Sequence, residues 1–208
     1  MPLLNFDLNR IIFTLPGVLV AITLHEFAHA YAAYKIGDPT AEHYGRLTLN
    51  PFAHIDIAGF LMLLIAGFGW AKPVPINPNN FSSRRLGTFL VSIAGVTMNI
   101  LLAILFTVLL ALQYRYGGNT MVASIIINAI RINVGFAIFN MLPIPPLDGS
   151  KVILAFLPTQ AEYYYYKFQK YSYAILFALL FFNIIDIVLY PAMNVVLKLL
   201  TLLLQVLV

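Results

Sequence analysis

Residues 11–34 read IIFTLPGVLVAITLHEFAHAYAAY, a predominantly apolar run with His25, Glu26 and His29 in its second half. The hydrocarbon core of a bilayer is spanned by about 20 helical residues, so the run predicts a membrane-spanning helix. Side chains four apart share a helix face, which lets the imidazoles of His25 and His29 grip one metal ion from the same side. Glu26, next to the first of them, is placed to act as general base towards an attacking water. Ionisable groups are costly among Ile, Leu and Phe, and three of them together at membrane depth mark a functional site. The pattern points to a zinc hydrolase centre inside a membrane helix.

The rest of the chain has the same character. Of its 208 residues, 61% are hydrophobic and 10% charged, against about 25% charged in a soluble domain. An all-α polytopic membrane protein is expected, one domain over residues 1–208 with its core at 11–153 and C-terminal helices at 160–208. The chain has no cysteine, which excludes disulfides, thiolate metal ligands and cysteine nucleophiles. Its net charge of +4 is scattered over loops, a pattern that orients a protein in a bilayer and argues against nucleic-acid binding. The first ten residues lack the basic start of a signal peptide and the following run carries the metal motif, so that run is expected to be retained.

Five to six membrane helices or segments are expected. Residues 11–34, 86–112, 121–142 and 173–190 have the length of spans; residues 192–208 are borderline, and Pro191 is expected to end or kink the helix before them. Residues 57–70 are apolar but short and hold three glycines, which suggests a re-entrant or interfacial segment. Lys35, Arg46, Lys72, Arg84, Arg85, Lys151, Lys167 and Lys170 then fall on one side, Arg10 and Arg115 on the other. The excess of Lys and Arg places residues 35–85 and 143–170 in the cytoplasm. His25 and His29 come out shallow in the membrane on that side. Arg131 and Asp186 both fall deep in expected spans, which predicts an ion pair between them. Tyr163, Tyr164, Tyr165 and Tyr166, with Tyr171 and Tyr173, read as an interfacial aromatic belt.

A catalytic zinc normally has three protein ligands and one open position. His43 and His54 lie in a polar loop. Residues 140–149, NMLPIPPLDG, offer a better third ligand in Asp148. They follow a helix that ends on the same side as the histidines, and three prolines stiffen them. An Asp-Gly pair is also a common surface turn, but beside an intramembrane HExxH the ligand assignment is the stronger.

With these motifs on the page, the chain resembles the site-2 protease family of intramembrane zinc metalloproteases, in its compact form without a PDZ domain. HEFAH matches the family's HExxH, and NMLPIPPLDG its Asn-x-x-Pro-x-x-Pro-x-Asp-Gly element. Residues 94–99, AGVTMN, are similar to its Gly-x-x-x-Asn motif, and residues 37–40, 45–51 and 70–77 to loops of the compact branch. The usual Gly-Pro of the second motif is Gly95-Val96, a departure expected to alter only local helix geometry. The resemblance implies one Zn2+ held by His25, His29 and Asp148, with Glu26 and Asn140 as catalytic groups and Asn140 beside the oxyanion. Gly95 and Asn99 are either helix-packing residues or supports of the active site. His54 is read first as a structural loop histidine, with support of the metal ligands as the other role, and His43 as an exposed loop residue.

The function expected is hydrolysis of peptide bonds in or near transmembrane segments of membrane-protein substrates. Such a segment must unwind first, and the loops at 46–50 and 71–77 have extended, β-like character. Leu47, Thr48, Leu49, Val74 and Ile76 are therefore expected to dock the unwound chain as an added strand. The alternatives are a membrane zinc carrier or sensor, or a zinc hydrolase of a non-peptide amphiphile. The expected surroundings are the lipid bilayer of a prokaryotic inner membrane, with either selectivity intrinsic to the loops or a separate regulatory membrane partner in place of a recognition domain.

Overall fold

The structure, a computed structural model, describes residues 8–66 and 69–208. Among them the chain is carried by helices α1 (Leu8–Lys35), α2 (Thr40–His43), α3 (Pro51–His54), α4 (Ile57–Ala66), α5 (Arg84–Arg115), α6 (Thr120–Asn140), α7 (Asp148–Leu154), α8 (Thr159–Phe181) and α9 (Asp186–Leu207). No strand forms among the described residues, where the one β pairing is an antiparallel bridge between Ile55 and Ala71. Among the described residues, four helices are long and apolar enough to cross a membrane: Ile11–Lys35 within α1, then α5, α6 and α9.

The packing of α5 explains how these helices assemble. Gly87, Val91, Gly95, Asn99, Ala103, Thr107 and Ala111 recur every four residues and all are buried, because residues at that spacing lie along one face of a helix. Most are small, which lets neighbouring backbones approach closely where lipid removes the usual hydrophobic drive between helices. Leu101, Leu105, Leu109 and Leu112 are exposed, as lipid-facing side chains are. Helices α1, α5 and α6 pack pairwise on one another, and α9 lies against α5 and α6. Ala103, Leu110, Ile130, Val134 and Leu200 fill that junction. The entry to α6 is fixed by Asn119, whose side-chain oxygen accepts from the Met121 amide at 2.7 Å and caps the helix.

Three expectations about the C-terminal third need correction. Residues 173–190 are not one span: the helix breaks after Phe181, and Asn183 takes a left-handed conformation at φ 56°, which asparagine tolerates better than branched residues. The fourth candidate span is α9, and Pro191 lies inside it rather than ending a helix. Arg131 and Asp186 form no ion pair among the described residues. Asp186 sits in the first turn of α9, where the helix N-terminus favours a carboxylate, so it is not at mid-span depth. The expected short segment at 57–70 begins as α4; its residues 67 and 68 lie outside the described part.

The loops after α1 form a platform over its end. Lys72 N–H donates to His54 C=O at 2.9 Å, next to the Ile55–Ala71 bridge, and closes the base of the α4 excursion. Val74, Leu47 and Ile76 pack on Ala30 and Ala41, and Phe81 packs on Ala33 and Val91. Asp38 is fully buried and pins this segment. Its carboxylate accepts from the Thr40 amide and hydroxyl, from Asn77 N–H at 2.7 Å and from Asn80 Nδ2 at 2.7 Å. Burial alone would raise its pKa; the donors outweigh burial and hold the carboxyl below its ordinary value. A carboxylate with a depressed folded pKa contributes stability that is complete above its unfolded pKa of about 3.9 and is lost as pH falls through the lower folded value. Amide protection over residues 72–81, corrected for intrinsic exchange, should therefore fall on acidification below about pH 4. Asp38→Asn should show the lower protection already at neutral pH and no acid step.

Candidate metal centre

His25 and His29 project from one face of α1 towards the start of α7, where Asp148 lies, and all three are buried. Their ligand atoms converge. His25 Nε2 is 3.1 Å from Asp148 Oδ2, His29 Nε2 is 2.9 Å from the same oxygen, and the two Nε2 atoms are 3.0 Å apart. The opposite edges of both rings are engaged. His25 Nδ1–H donates to Asn99 Oδ1 at 2.6 Å, and His29 Nδ1–H donates to the Val91 carbonyl at 2.7 Å. With Nδ1 carrying the proton, each Nε2 is a bare acceptor. Two imidazole lone pairs and a carboxylate oxygen thus face one another with no hydrogen between them, an arrangement that calls for a cation. Ligands about 2.0–2.2 Å from a shared tetrahedral ion sit roughly 3.3–3.6 Å apart, a few tenths of an ångström beyond the spacing observed. The donor set fits zinc.

Two glycines make the convergence geometrically feasible. A Cβ on Gly95 would lie 2.5 Å from His29 Nε2 and 2.7 Å from His25 Cε1, so the imidazoles rest directly on the backbone of α5. A Cβ on Gly149 would lie 2.1 Å from the Met141 carbonyl oxygen. The chain from α6 therefore folds back on itself tightly enough to present Asp148 inward, and Asp148 does not occupy a surface turn. Its second oxygen accepts from Lys151 Nζ at 3.0 Å, which leaves Oδ2 for the histidines.

Glu26 is buried beside the triplet, and its Oε2 accepts from the Val74 amide at 3.0 Å. A cavity of about 800 Å³ opens on the group, bordered by His25, Glu26, His29, Asn140 and Asp148 and otherwise mainly apolar. Asn140 uses one amide hydrogen within its own helix, donating to the Phe136 carbonyl at 2.9 Å. Val74 and Ile76 also border the cavity; Leu47, Thr48 and Leu49 border neither it nor the smaller cavity of about 260 Å³ beyond His29 and Lys151. His54 is fully buried but away from the triplet: its Nε2 donates to the Thr48 carbonyl at 2.8 Å and its Nδ1 faces Arg46. It braces the loop. His43 is exposed.

Sequence reasoning missed several participants, the Val74 amide on Glu26 among them. Val91 contributes a backbone oxygen, which no side-chain pattern announces. Lys151 carries an ordinary loop charge until the fold brings it to Asp148. Asn133, fully buried, accepts from Asn99 Nδ2 at 2.9 Å; its position seven residues before Asn140, two helical turns on the same face, was the available signal.

Comparison with known proteins shows the family. The profile of peptidase family M50 matches residues 118–183. YwhC of Bacillus subtilis (strain 168), whose name provisionally describes a zinc metalloprotease, is 38% identical over 197 residues, covering 92% of this chain and 90% of that protein. The chain belongs to peptidase family M50. Rip2 of Mycobacterium tuberculosis (strain H37Rv), similarly named, is 32% identical over 142 residues, 66% of this chain; the match spans 54% of Rip2, about half its length. A similarly named relative from Methanocaldococcus jannaschii is 30% identical over 151 residues. No solved structure matches the chain. M50 membership confirms the site-2 protease resemblance, and the His25, His29 and Asp148 group supplies a donor set that a zinc metalloprotease of this family can use.

The packing of this M50 peptidase against Gly95 is open to a direct test. Gly95→Ala should displace both imidazoles and weaken zinc binding by about a hundredfold or more, beyond the range seen when an outer hydrogen-bond partner is removed. Zinc titration of the purified variant against wild type checks this; unchanged affinity would show that the rings do not need the bare backbone.

Proposed function

We propose that the chain hydrolyses peptide bonds within or next to transmembrane segments of membrane-protein substrates, with His25, His29 and Asp148 as zinc ligands and Glu26 as the proton-transferring base. The supporting observation is that Glu26 and the three ligands share the wall of a large, mainly apolar cavity that α1, α4, α6 and α8 enclose. When bound, zinc lowers the pKa of water towards neutrality and polarises the substrate carbonyl. Glu26 is anchored through Oε2 by the Val74 amide, which leaves Oε1 to take the proton from the attacking water and return it to the leaving amine. Asn140 retains a second amide hydrogen for the developing oxyanion.

The substrate must be extended when it is cut, since helical carbonyls are covered and hydrogen-bonded. The segment from Ala71 to Asn77 suits docking of such a chain. Lys72 N–H and C=O and Val74 N–H are all engaged by the protein, with His54, Arg46 and Glu26. In an extended chain alternate residues face opposite edges, so the free edge belongs to Pro73 and Pro75. These offer carbonyls and no N–H. A substrate strand would donate two amides to them and keep its own carbonyls unpaired for attack.

We place the protein in a prokaryotic inner membrane with the metal centre towards the cytoplasm. Relatives from bacteria and an archaeon support the prokaryotic setting, and the Lys- and Arg-bearing loops between α1 and α5 and after α6 support the orientation. His29 lies six residues before Lys35, roughly 9 Å along the helix, and His25 one turn deeper.

Glu26→Gln separates proteolysis from a zinc carrier or sensor. The variant should bind zinc as wild type does and cleave a transmembrane peptide at least about 100-fold more slowly; equal cleavage would remove Glu26 from the mechanism. N-methylation of alternate substrate amides beside the scissile bond should raise KM in one register and not the other. Indifference in both registers would reject docking on Pro73 and Pro75.

A further inference from the structure

The His25 ring is held by a chain of side-chain amides that runs across three helices. Asn99 on α5 accepts from His25 Nδ1–H through Oδ1, at 2.6 Å. Both hydrogens of its Nδ2 are used: one reaches the Ala21 carbonyl on α1 at 3.2 Å, the other Asn133 Oδ1 on α6 at 2.9 Å. Asn133 is oriented in turn by donating its own Nδ2 to the Ala129 carbonyl at 2.9 Å. Asn99 and Asn133 have no solvent exposure. An amide can present oxygen or nitrogen to a neighbour, and a buried one takes the orientation in which all its groups are satisfied. If the Asn99 amide turned round, its nitrogen would face His25 Nδ1. The imidazole would then have to accept there and move its proton to Nε2, the atom that faces Asp148 and His29. The oxygen of Asn133 opposes that reversal.

We infer that Asn133 is a positioning residue for the metal centre, acting through Asn99 to keep His25 in the tautomer that leaves Nε2 free. The inference rests on the assignment of His25, His29 and Asp148 as zinc ligands and adds a third layer behind His25 and Asn99. Asn133 is neither one of the three assigned ligands nor a residue bordering the cavity. Ala21 still holds one hydrogen of Asn99 when Asn133 is replaced, so the effect is graded.

The test is zinc affinity of the purified full chain in detergent, by competition with a chelator, in a cycle of Asn133 and Asn99 variants. Asn133→Leu should weaken binding about three- to tenfold, at or below the lower end of outer-partner effects. Asn133→Asp, which keeps an acceptor for Asn99, should weaken it less. In an Asn99→Ala background, Asn133→Leu should have no further effect. Unchanged affinity in Asn133→Leu, or an equal loss in both backgrounds, would overturn the inference, the latter by showing a packing role independent of Asn99. Should Asn133→Leu fail to fold, Asn133→Ala takes its place in the cycle. The 15N spectrum of His25 in the metal-free chain gives a second reading. A shift of the ring proton from Nδ1 towards Nε2 in the variant supports the inference, and an unchanged tautomer rejects it. This readout decides even if the wild type binds no zinc, a result that would instead contradict the ligand assignment.

Discussion

Three electron-pair donors, two imidazole nitrogens and a carboxylate oxygen, meet within 3.1 Å of one another in the interior of a membrane protein. Without a cation their mutual repulsion and desolvation would both oppose the fold. Much of the helix packing can be understood as holding that convergence in place. The row of small residues on α5 admits α1 closely enough for the rings to lie on Gly95. The return of the chain at Gly149 brings Asp148 in from the other side. Asn99 and Val91 fix the ring protons so that the lone pairs point inward. The metal centre and the helix packing are one arrangement seen at two scales.

Residues whose chemistry is unusual for their surroundings were legible in the sequence. His25, Glu26 and His29 stand out against an apolar run, and Asp148 stands out as the one carboxylate in a proline-stiffened segment after a span. Three of the four expected spans coincide with candidate spans of the structure; residues 173–190 do not, and the fourth candidate falls mainly on the borderline stretch at 192–208. An apolar run carries no sign of a break caused by one backbone angle, and Asn183 at positive φ supplied that break. The supposed partner of Arg131 failed for the same reason: once α9 begins at Asp186, the depth inferred for that carboxylate no longer holds. Backbone participants such as the Val91 carbonyl and the Val74 amide were beyond reach, because every residue type carries those groups.

The extra-helical platform has its own logic. Asp38 gathers donors from Thr40, Asn77 and Asn80 and thereby fixes the stretch that carries Val74 to Glu26. Arg46 and His54 tie Lys72 and Thr48 into the same layer. Prolines at 73 and 75 leave the outer edge of that stretch without donors, which discourages pairing with stray strands while still offering carbonyls. A polar loop layer of this kind lets an irregular backbone sit beside a buried site in a membrane protein because its polar groups are satisfied by protein.

The central claim is that His25, His29 and Asp148 hold one zinc ion. X-ray absorption at the zinc edge of the purified chain, compared with Asp148→Ala, tests it most directly. The account predicts one zinc per chain with two imidazole nitrogens and oxygen ligands in the wild type, and loss of an oxygen ligand or of the metal in the variant. A wild type without zinc, a coordination shell lacking two imidazoles, or a shell unchanged by removal of Asp148 would contradict it.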